Sequence, residues 1–346
     1  MSAIEALRAV VAVYSTHPTA PLTLLSRMAS LEPAAYRDLE QQRQAVRIVG
    51  MRGSAFLVPT DFAAALFSAT RSSTDRLQGR LTYANLDFET YERLVPAVLE
   101  CCSTPLTPSE LRACLPVADD VYIVARILAR QGRIIRVGAS LRTDQLRYVA
   151  TTAWLGQPLT EIDRQDALVW LAEAYVRAFG PIRVADFAWW SGSPRRAAAL
   201  ALERVNTVSR DGLLLLAEDA AEFDRVERVD TDRIDVLPKW DSYIMGYAPD
   251  GRQRFIEDRY LKLAYTSVAG SPGATAGDGL PLVLRGGQAV ASWSHRLTGN
   301  QLVISVRPFA DDPRLDESAF AAIGALLGTA TLAVTTASPD PELPAR

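Results

Sequence analysis

The chain has 346 residues, 49% of them apolar, a net charge of −3, two histidines and three cysteines. That length and apolar content suffice for two or three domains around a large core and exclude an intrinsically disordered chain. His17 and His295 give a His-based metal site or catalytic triad little material, and Cys101, Cys102 and Cys114 show no CxxC or Cys/His spacing, so neither a metal nor another cofactor is expected.

An odd cysteine count without a pairing pattern fits a reducing cytosol, and Glu5 and Arg8 interrupt the first twenty residues where a signal peptide would need an apolar run, so a cytoplasmic protein is expected. The least charged stretch, 318–337, contains Gly324 and Gly328 and reads as a buried helix followed by a strand, not a membrane span. Charge is unevenly spread: residues 1–150 carry +3 and residues 151–346 carry −6, with Lys239 and Lys262 the only lysines. Arginine is the stronger phosphate ligand, so an anionic partner is expected on the N-terminal half.

The predicted elements repeat one plan. A helix over 32–42 precedes strands at 46–49 and 54–58, which turn at Gly50 to Gly53 and stop at Pro59. The second unit has a helix over 91–102, an N-cap at Thr107 with Pro108 and Glu110 behind it, a helix over 119–131, and strands at 134–137 and 146–150. The third has helices over 166–179 and 184–191, Gly192 in the turn, and a helix capped at Ser193 that runs to Val205. A hairpin over 207–217 then turns at Asp211-Gly212.

Helix, helix, helix, hairpin is a winged helix. The expected fold is therefore α+β and helix-rich: three tandem winged-helix units at 1–85, 86–155 and 156–220, then a β-rich domain at 233–337. An acidic connector over 218–235, a mobile loop over 268–279 and a disordered tail over 338–346 complete the plan.

Several strings resemble the AlkZ/YcaQ superfamily of winged-helix bacterial DNA glycosylases. They are Met51-Arg52-Gly53-Ser54 with Leu57-Val58-Pro59, Ala178-Phe179-Gly180-Pro181 followed by the segment from Asp186 to Gly192, and Leu237-Pro238-Lys239-Trp240-Asp241-Ser242-Tyr243 ending in Gly246-Tyr247. The resemblance spans residues 10–330 and implies a DNA cradle of winged helices closed by a β domain. It also implies excision of alkylated purines from duplex DNA.

That family carries a Gln-aliphatic-Gln or Gln-aliphatic-Asp motif before a proline, near the end of an early helix, which positions the attacking water. Here Tyr14 and Thr16 hold the two glutamine positions, ahead of His17 and Pro18, and Phe56 stands where members often have histidine. The short leader leaves little room for a helix before this motif.

In one reading Tyr14, Thr16 and His17 hold a water; in the other Tyr14 packs in the core, Thr16 bonds local backbone and His17 is exposed. Arg126, Arg130, Arg133, Arg136, Arg142 and Arg147, with Arg52 in the first hairpin turn, are the expected DNA ligands, and Asp144 is the single acid among the strip. Arg71, Arg76 and Arg80 form a weaker second group. Of Trp189 and Trp190, one is expected in the core and the other toward a cleft. Asp241 either caps a turn or faces a cationic lesion, and Cys101 and Cys102 read as core thiols.

Two function classes follow: a monofunctional glycosylase for bulky or cationic N-alkylpurines, in repair or genotoxin self-resistance, and a non-catalytic winged-helix lesion sensor or regulator. No long heptad helix offers a dimer seam, so a monomer is expected.

Overall fold

Ser2 opens the first helix, α1 (Ala3–Ala9), through a reciprocal cap: its backbone N–H donates to the Glu5 carboxylate at 2.6 Å and its hydroxyl accepts from the Glu5 N–H. The short leader therefore does hold a helix, because the cap needs only one residue ahead of it. The computed structural model describes residues 1–15, 19–71, 74–116, 121–138, 140–141, 146–227, 230–266, 278–310, 315 and 317–337. Thr16, His17, Arg142, most of the expected mobile loop and the tail lie outside the described residues.

After α1 come β1 (Val13–Tyr14), α2 (Ala20–Leu25) and α3 (Pro33–Gln41), the last with Pro33 at its first position. A hairpin of β2 (Ala45–Val49) and β3 (Ala55–Pro59) turns through a 3-10 segment at Met51–Gly53. Helices α4 (Ala63–Thr70), α5 (Thr74–Tyr83), α6 (Phe88–Cys101), α7 (Pro108–Cys114) and α8 (Val121–Arg130) lead to β4 (Ile134–Val137) and β5 (Arg147–Ala150). Then α9 (Thr151–Leu155), α10 (Arg164–Phe179), α11 (Val184–Ser191) and α12 (Arg195–Leu202) precede β6 (Thr207–Arg210) and β7 (Leu213–Leu216).

The remainder is α13 (Ala220–Phe223), β8 (Ile234–Leu237), α14 (Leu261–Ala264), β9 (Tyr265–Thr266), β10 (Asp278–Gly279), β11 (Leu282–Arg285), β12 (Gln288–Thr298), β13 (Gln301–Pro308), α15 (Ser318–Leu327) and β14 (Thr331–Thr336). The protein is mixed α+β, rich in helix, with a C-terminal sheet.

Most elements fall where periodicity placed them; the differences are tertiary. The hairpins of the first two units do not stand apart but join in one sheet ordered β1-β3-β2-β4-β5, through a bridge that sets Arg47 opposite Arg136. Like charges directly opposite are destabilising, and each is answered differently. Arg47, 2% exposed, donates to Glu40 and to the Tyr36 hydroxyl at 3.0 Å, while Arg136 lies 5.3 Å from the Tyr148 ring centroid. The second Glu40 oxygen accepts from the Gly138 N–H at 2.6 Å. One carboxylate on α3 thus ties β2 to the end of β4. Burial holds the Glu40 pKa above its ordinary value against the opposing pull of Arg47 and the Gly138 N–H.

The C-terminal sheet runs β14-β13-β12-β11-β8, with α15 as the crossover between parallel β13 and β14. The N-terminal helices pack on it: Leu7, Leu24 and Leu39 share one apolar cluster with Val283, Trp293, Ile304 and Phe320. A second cluster runs from Val46 and Phe67 through Tyr175, Phe187 and Trp190 to Phe255 and Tyr265, and α6–α8 keep a third of their own. Burial therefore links the first residues of the chain to the last sheet. A strand at 234–237 and a strand at 278–279 also occupy segments expected to be connector and loop.

Two local expectations are corrected. Cys101 is not a core thiol but is joined to Cys114 by a disulfide between α6 and α7; Cys102 stays free and buried, its pKa pushed by burial up to about 11. Ser193 does not cap α12, which starts at the N-cap Pro194 with no side-chain bond, because the Ser193 N–H turns back to the Ser191 hydroxyl.

Removing Glu40 leaves a buried guanidinium without its counter-charge, a loss of about 3–5 kcal/mol for such a pair. Chemical denaturation of Glu40→Ala is expected to show that loss, and Glu40→Leu with Arg47→Met is expected to recover most of it. Equal stability of wild type and Glu40→Ala would show that the pair does not join the two hairpins.

Candidate active site and nucleic-acid face

Tyr14 is held by strand pairing, not by a helix end. β1 adds to the edge of β3 with Tyr14 opposite Phe56, and the Ser15 N–H donates to the Ala55 carbonyl at 3.0 Å. The Tyr14 ring meets the edge of Phe56 at 5.7 Å and Trp240 at 4.5 Å, distances at which aromatic pairs attract. Its hydroxyl has no hydrogen-bond partner among the described residues. These rings, with Arg52, Ser54, Trp190 and Ser242, line a cavity of about 250 Å³, room for about eight waters at liquid density.

Trp240, Ser242 and Met245 supply another wall, and Asp241 anchors their segment. Asp241 is fully buried and takes both guanidinium nitrogens of Arg27 at 2.8 Å, while one of its oxygens also accepts from the Tyr243 N–H at 2.8 Å. Burial opposes the charge on Arg27, but the facing Asp241 charge and hydrogen bonds outweigh it and raise the Arg27 pKa. Asp241 does not line the cavity; Arg27 already neutralises the charge that was expected to meet a cationic lesion.

What Asp241 does is hold its neighbours in place. Trp240 has φ of 56°, a left-handed conformation that is unusual for a bulky residue. Its indole N–H donates to Asp278 at 2.5 Å, and the Lys239 ammonium lies 4.2 Å from its ring centroid. On the other side the Ser242 hydroxyl donates to the Ala12 carbonyl at 3.2 Å.

The rim is cationic. Arg52, itself at φ of 51°, stacks 4.0 Å from the Trp189 ring centroid, and Arg252 approaches Trp189 at 5.2 Å and Tyr265 at 3.7 Å. Crowding by protein, then the like charge of Arg252, lowers the Arg52 pKa, although its side chain keeps solvent contact. Gly192, at φ of 73°, makes this stack possible: a Cβ there would lie 3.0 Å from Arg52 Cγ. Trp190 packs on Tyr175 at 4.9 Å and also lines the aromatic cavity, while Trp189 lies under Arg52 at the rim, so the expected division of the pair between core and cleft does not hold.

The arginines of α8, β4 and β5 differ in what they touch. Arg126 and Arg133 are exposed and Arg130 half-buried; with Arg80 they form no ion pair among the described residues. Arg126 and Arg136 lie 5.7 and 5.3 Å from the ring centroids of Tyr122 and Tyr148, and Arg147 pairs with Glu110 at 2.9 Å. Burial, then the charges of Arg80, Arg126 and Arg136, lowers the Arg130 pKa to about 10.

Sequence reasoning missed Arg27, Trp240 and Arg252 as parts of the site. Nothing in the spacing of residues 27 and 241 announces a bond across 214 positions. Among the described residues no group of three or more His, Cys, Asp or Glu side chains is arranged to hold a metal, and no helix is long and apolar enough to cross a membrane.

The family model of AlkZ-like DNA glycosylases matches residues 7–330, and the chain belongs to that family. In structure it is similar to the Streptomyces sahachiroi DNA glycosylase AlkZ, with a TM-score of 0.75 and 19% sequence identity over 97% of this chain and 94% of that one. At that identity the likeness carries the fold. A comparison with curated protein sequences finds no match.

If Asp241 acts by anchoring, Arg27→Ala and Asp241→Asn should damage the same thing. Each is expected to lower stability by about 3–5 kcal/mol, as for loss of one partner of a buried pair. The double variant should be no worse than the weaker single one. A calorimetric series in which the two losses add would separate Asp241 from Arg27.

Proposed function

We propose that the chain is a monofunctional DNA glycosylase. In this reading it binds damaged duplex DNA as a monomer through three tandem winged-helix units and hydrolyses the N-glycosidic bond of cationic N-alkylpurines. The observation that carries the reading is Tyr14: it occupies the first glutamine position of the family motif and lines an aromatic cavity beside Arg52, its hydroxyl without a hydrogen-bond partner among the described residues. The faces of Tyr14, Phe56 and Trp240 suit a positively charged base, since aromatic rings attract cations by about 0.5–2 kcal/mol.

The chemistry asks little of the protein. As the C1′–N bond breaks, its electron pair neutralises the departing base, so no general acid is needed. Water bonds to C1′ and releases a proton. Tyr14, with Thr16 and His17 after it, serves to orient that water, and His17 suits the role of proton acceptor. Asp241 contributes by positioning Trp240 and Ser242. No lysine lines the cavity, and the route therefore ends at an abasic site without a Schiff-base nick.

The replacement of both glutamines favours a second reading, a lesion sensor that binds without cutting. A duplex bearing one N7-methylguanine separates the two. Wild type is expected to release the base, leave an alkali-labile site and work equally in EDTA. Tyr14→Phe, Thr16→Ala and His17→Ala are each expected to slow release by about 10²–10⁴-fold, the range for proton-handling groups, with DNA affinity nearly unchanged. Tight binding with no release by wild type would select the sensor.

A further inference from the structure

The helices α5 and α8 enclose a cavity of about 300 Å³ that the base-excision reading does not use. Arg80 and Tyr83 on α5, with Ala84 just after it, share a face; on α8, Ile123, Arg126, Ile127 and Arg130 do the same at helical spacing. The result is an apolar floor with three guanidinium groups around it. No carboxylate among the described residues pairs with any of the three. Arg80 Nε is shielded from solvent and has no acceptor among the described residues, although a buried donor normally finds one.

Arg130 is pressed against the first hairpin. A Cβ on Gly53 would come 2.4 Å from its Nη1, so only glycine lets the guanidinium lie over that turn. The same turn carries Arg52 to the rim of the aromatic cavity. Beside the arginines, the Tyr83 ring is 95% exposed and has no packing of its own to explain a phenol there.

We infer that this cavity is a socket for a single backbone phosphate of the DNA strand, with Tyr83 lying against the adjoining deoxyribose. Three donors converge there from two helices, and planar guanidinium groups match the oxygens of a phosphate. A bound phosphodiester would supply the missing acceptor and offset the mutual repulsion of the guanidinium groups, which adds to burial in lowering the Arg130 pKa. Arg136 and Arg147 do not line the socket, and Arg147 is paired with Glu110. The socket fixes the strand relative to Met51–Gly53, and so relative to the cavity beyond Arg52.

The inference rests on the DNA-binding part of the proposed function, not on catalysis. It is tested with a short duplex holding one abasic-site analogue, and with the same duplex in which single phosphates are replaced in turn by uncharged methylphosphonates. Neutralising one particular phosphate is expected to weaken wild-type binding roughly tenfold, as for loss of a charged hydrogen bond. Against Arg80→Gln and Arg126→Gln that position should cost little.

Each of these variants should also flatten the salt dependence of log K by up to about 0.9. Tyr83→Ala should weaken binding without changing that slope. Melting temperatures of the arginine variants should equal or exceed wild type, because a like charge is removed. Penalties that multiply at every phosphate, or wild-type affinity and slope in both arginine variants, would overturn the socket and leave DNA binding standing. Failure of wild type to bind duplex at all would overturn both.

Discussion

A guanidinium buried between two hairpins is the constraint from which much of the architecture follows. Arg47 stands where β2 meets β4, opposite another arginine, and it is tolerable only because Glu40 and Tyr36 on α3 take its hydrogen bonds. Glu40 also reaches the Gly138 N–H, so one carboxylate sets α3, β2 and the end of β4 in a single arrangement. Apolar packing alone would bring these hairpins together in several registers; a buried charge with few acceptors permits far fewer. The joined sheet then offers the edge of β3 to β1, and that edge places Tyr14.

The candidate site is assembled by the same logic of fixed partners. Arg27 and Asp241, 214 residues apart, close the N-terminal helices onto the 240–245 segment. Trp240 is held in a left-handed backbone conformation between Tyr14, Lys239 and Asp278. Strained residues persist where surroundings over-determine them, and they gather at functional sites. Rigid walls suit the proposed reaction, in which the leaving group is already activated and the base, the sugar and one water have to be placed.

Cationic groups divide between structure and surface in a way that composition hides. Arg27, Arg47 and Arg183 are spent on buried carboxylates, and Arg147 on Glu110. Arg80, Arg126, Arg130 and Arg133 are not. Arg80, Arg126 and Arg130 gather around one cavity, and none of them has a carboxylate partner among the described residues, so a polyanion would meet their combined field there. Arg52 and Arg252 belong to neither group: stacked on Trp189 and Tyr265, they build the rim of the cavity.

Local order was legible in the sequence because it is governed by neighbours. The Thr107–Glu110 capping box, Pro33 at a helix start, the left-handed Gly192 and the Asp211-Gly212 turn each follow from residues within four positions, and the structure repeats them. The family strings around Met51, Phe179 and Trp240 were readable for the same reason. Tertiary structure alone decided the rest. It joined Cys101 to Cys114, fused two hairpins, turned Trp190 inward, put Tyr14 on a strand and gave the Asp241 charge to Arg27. These outcomes depend on which distant groups compete for one buried donor or one apolar face, and no window along the chain contains both competitors.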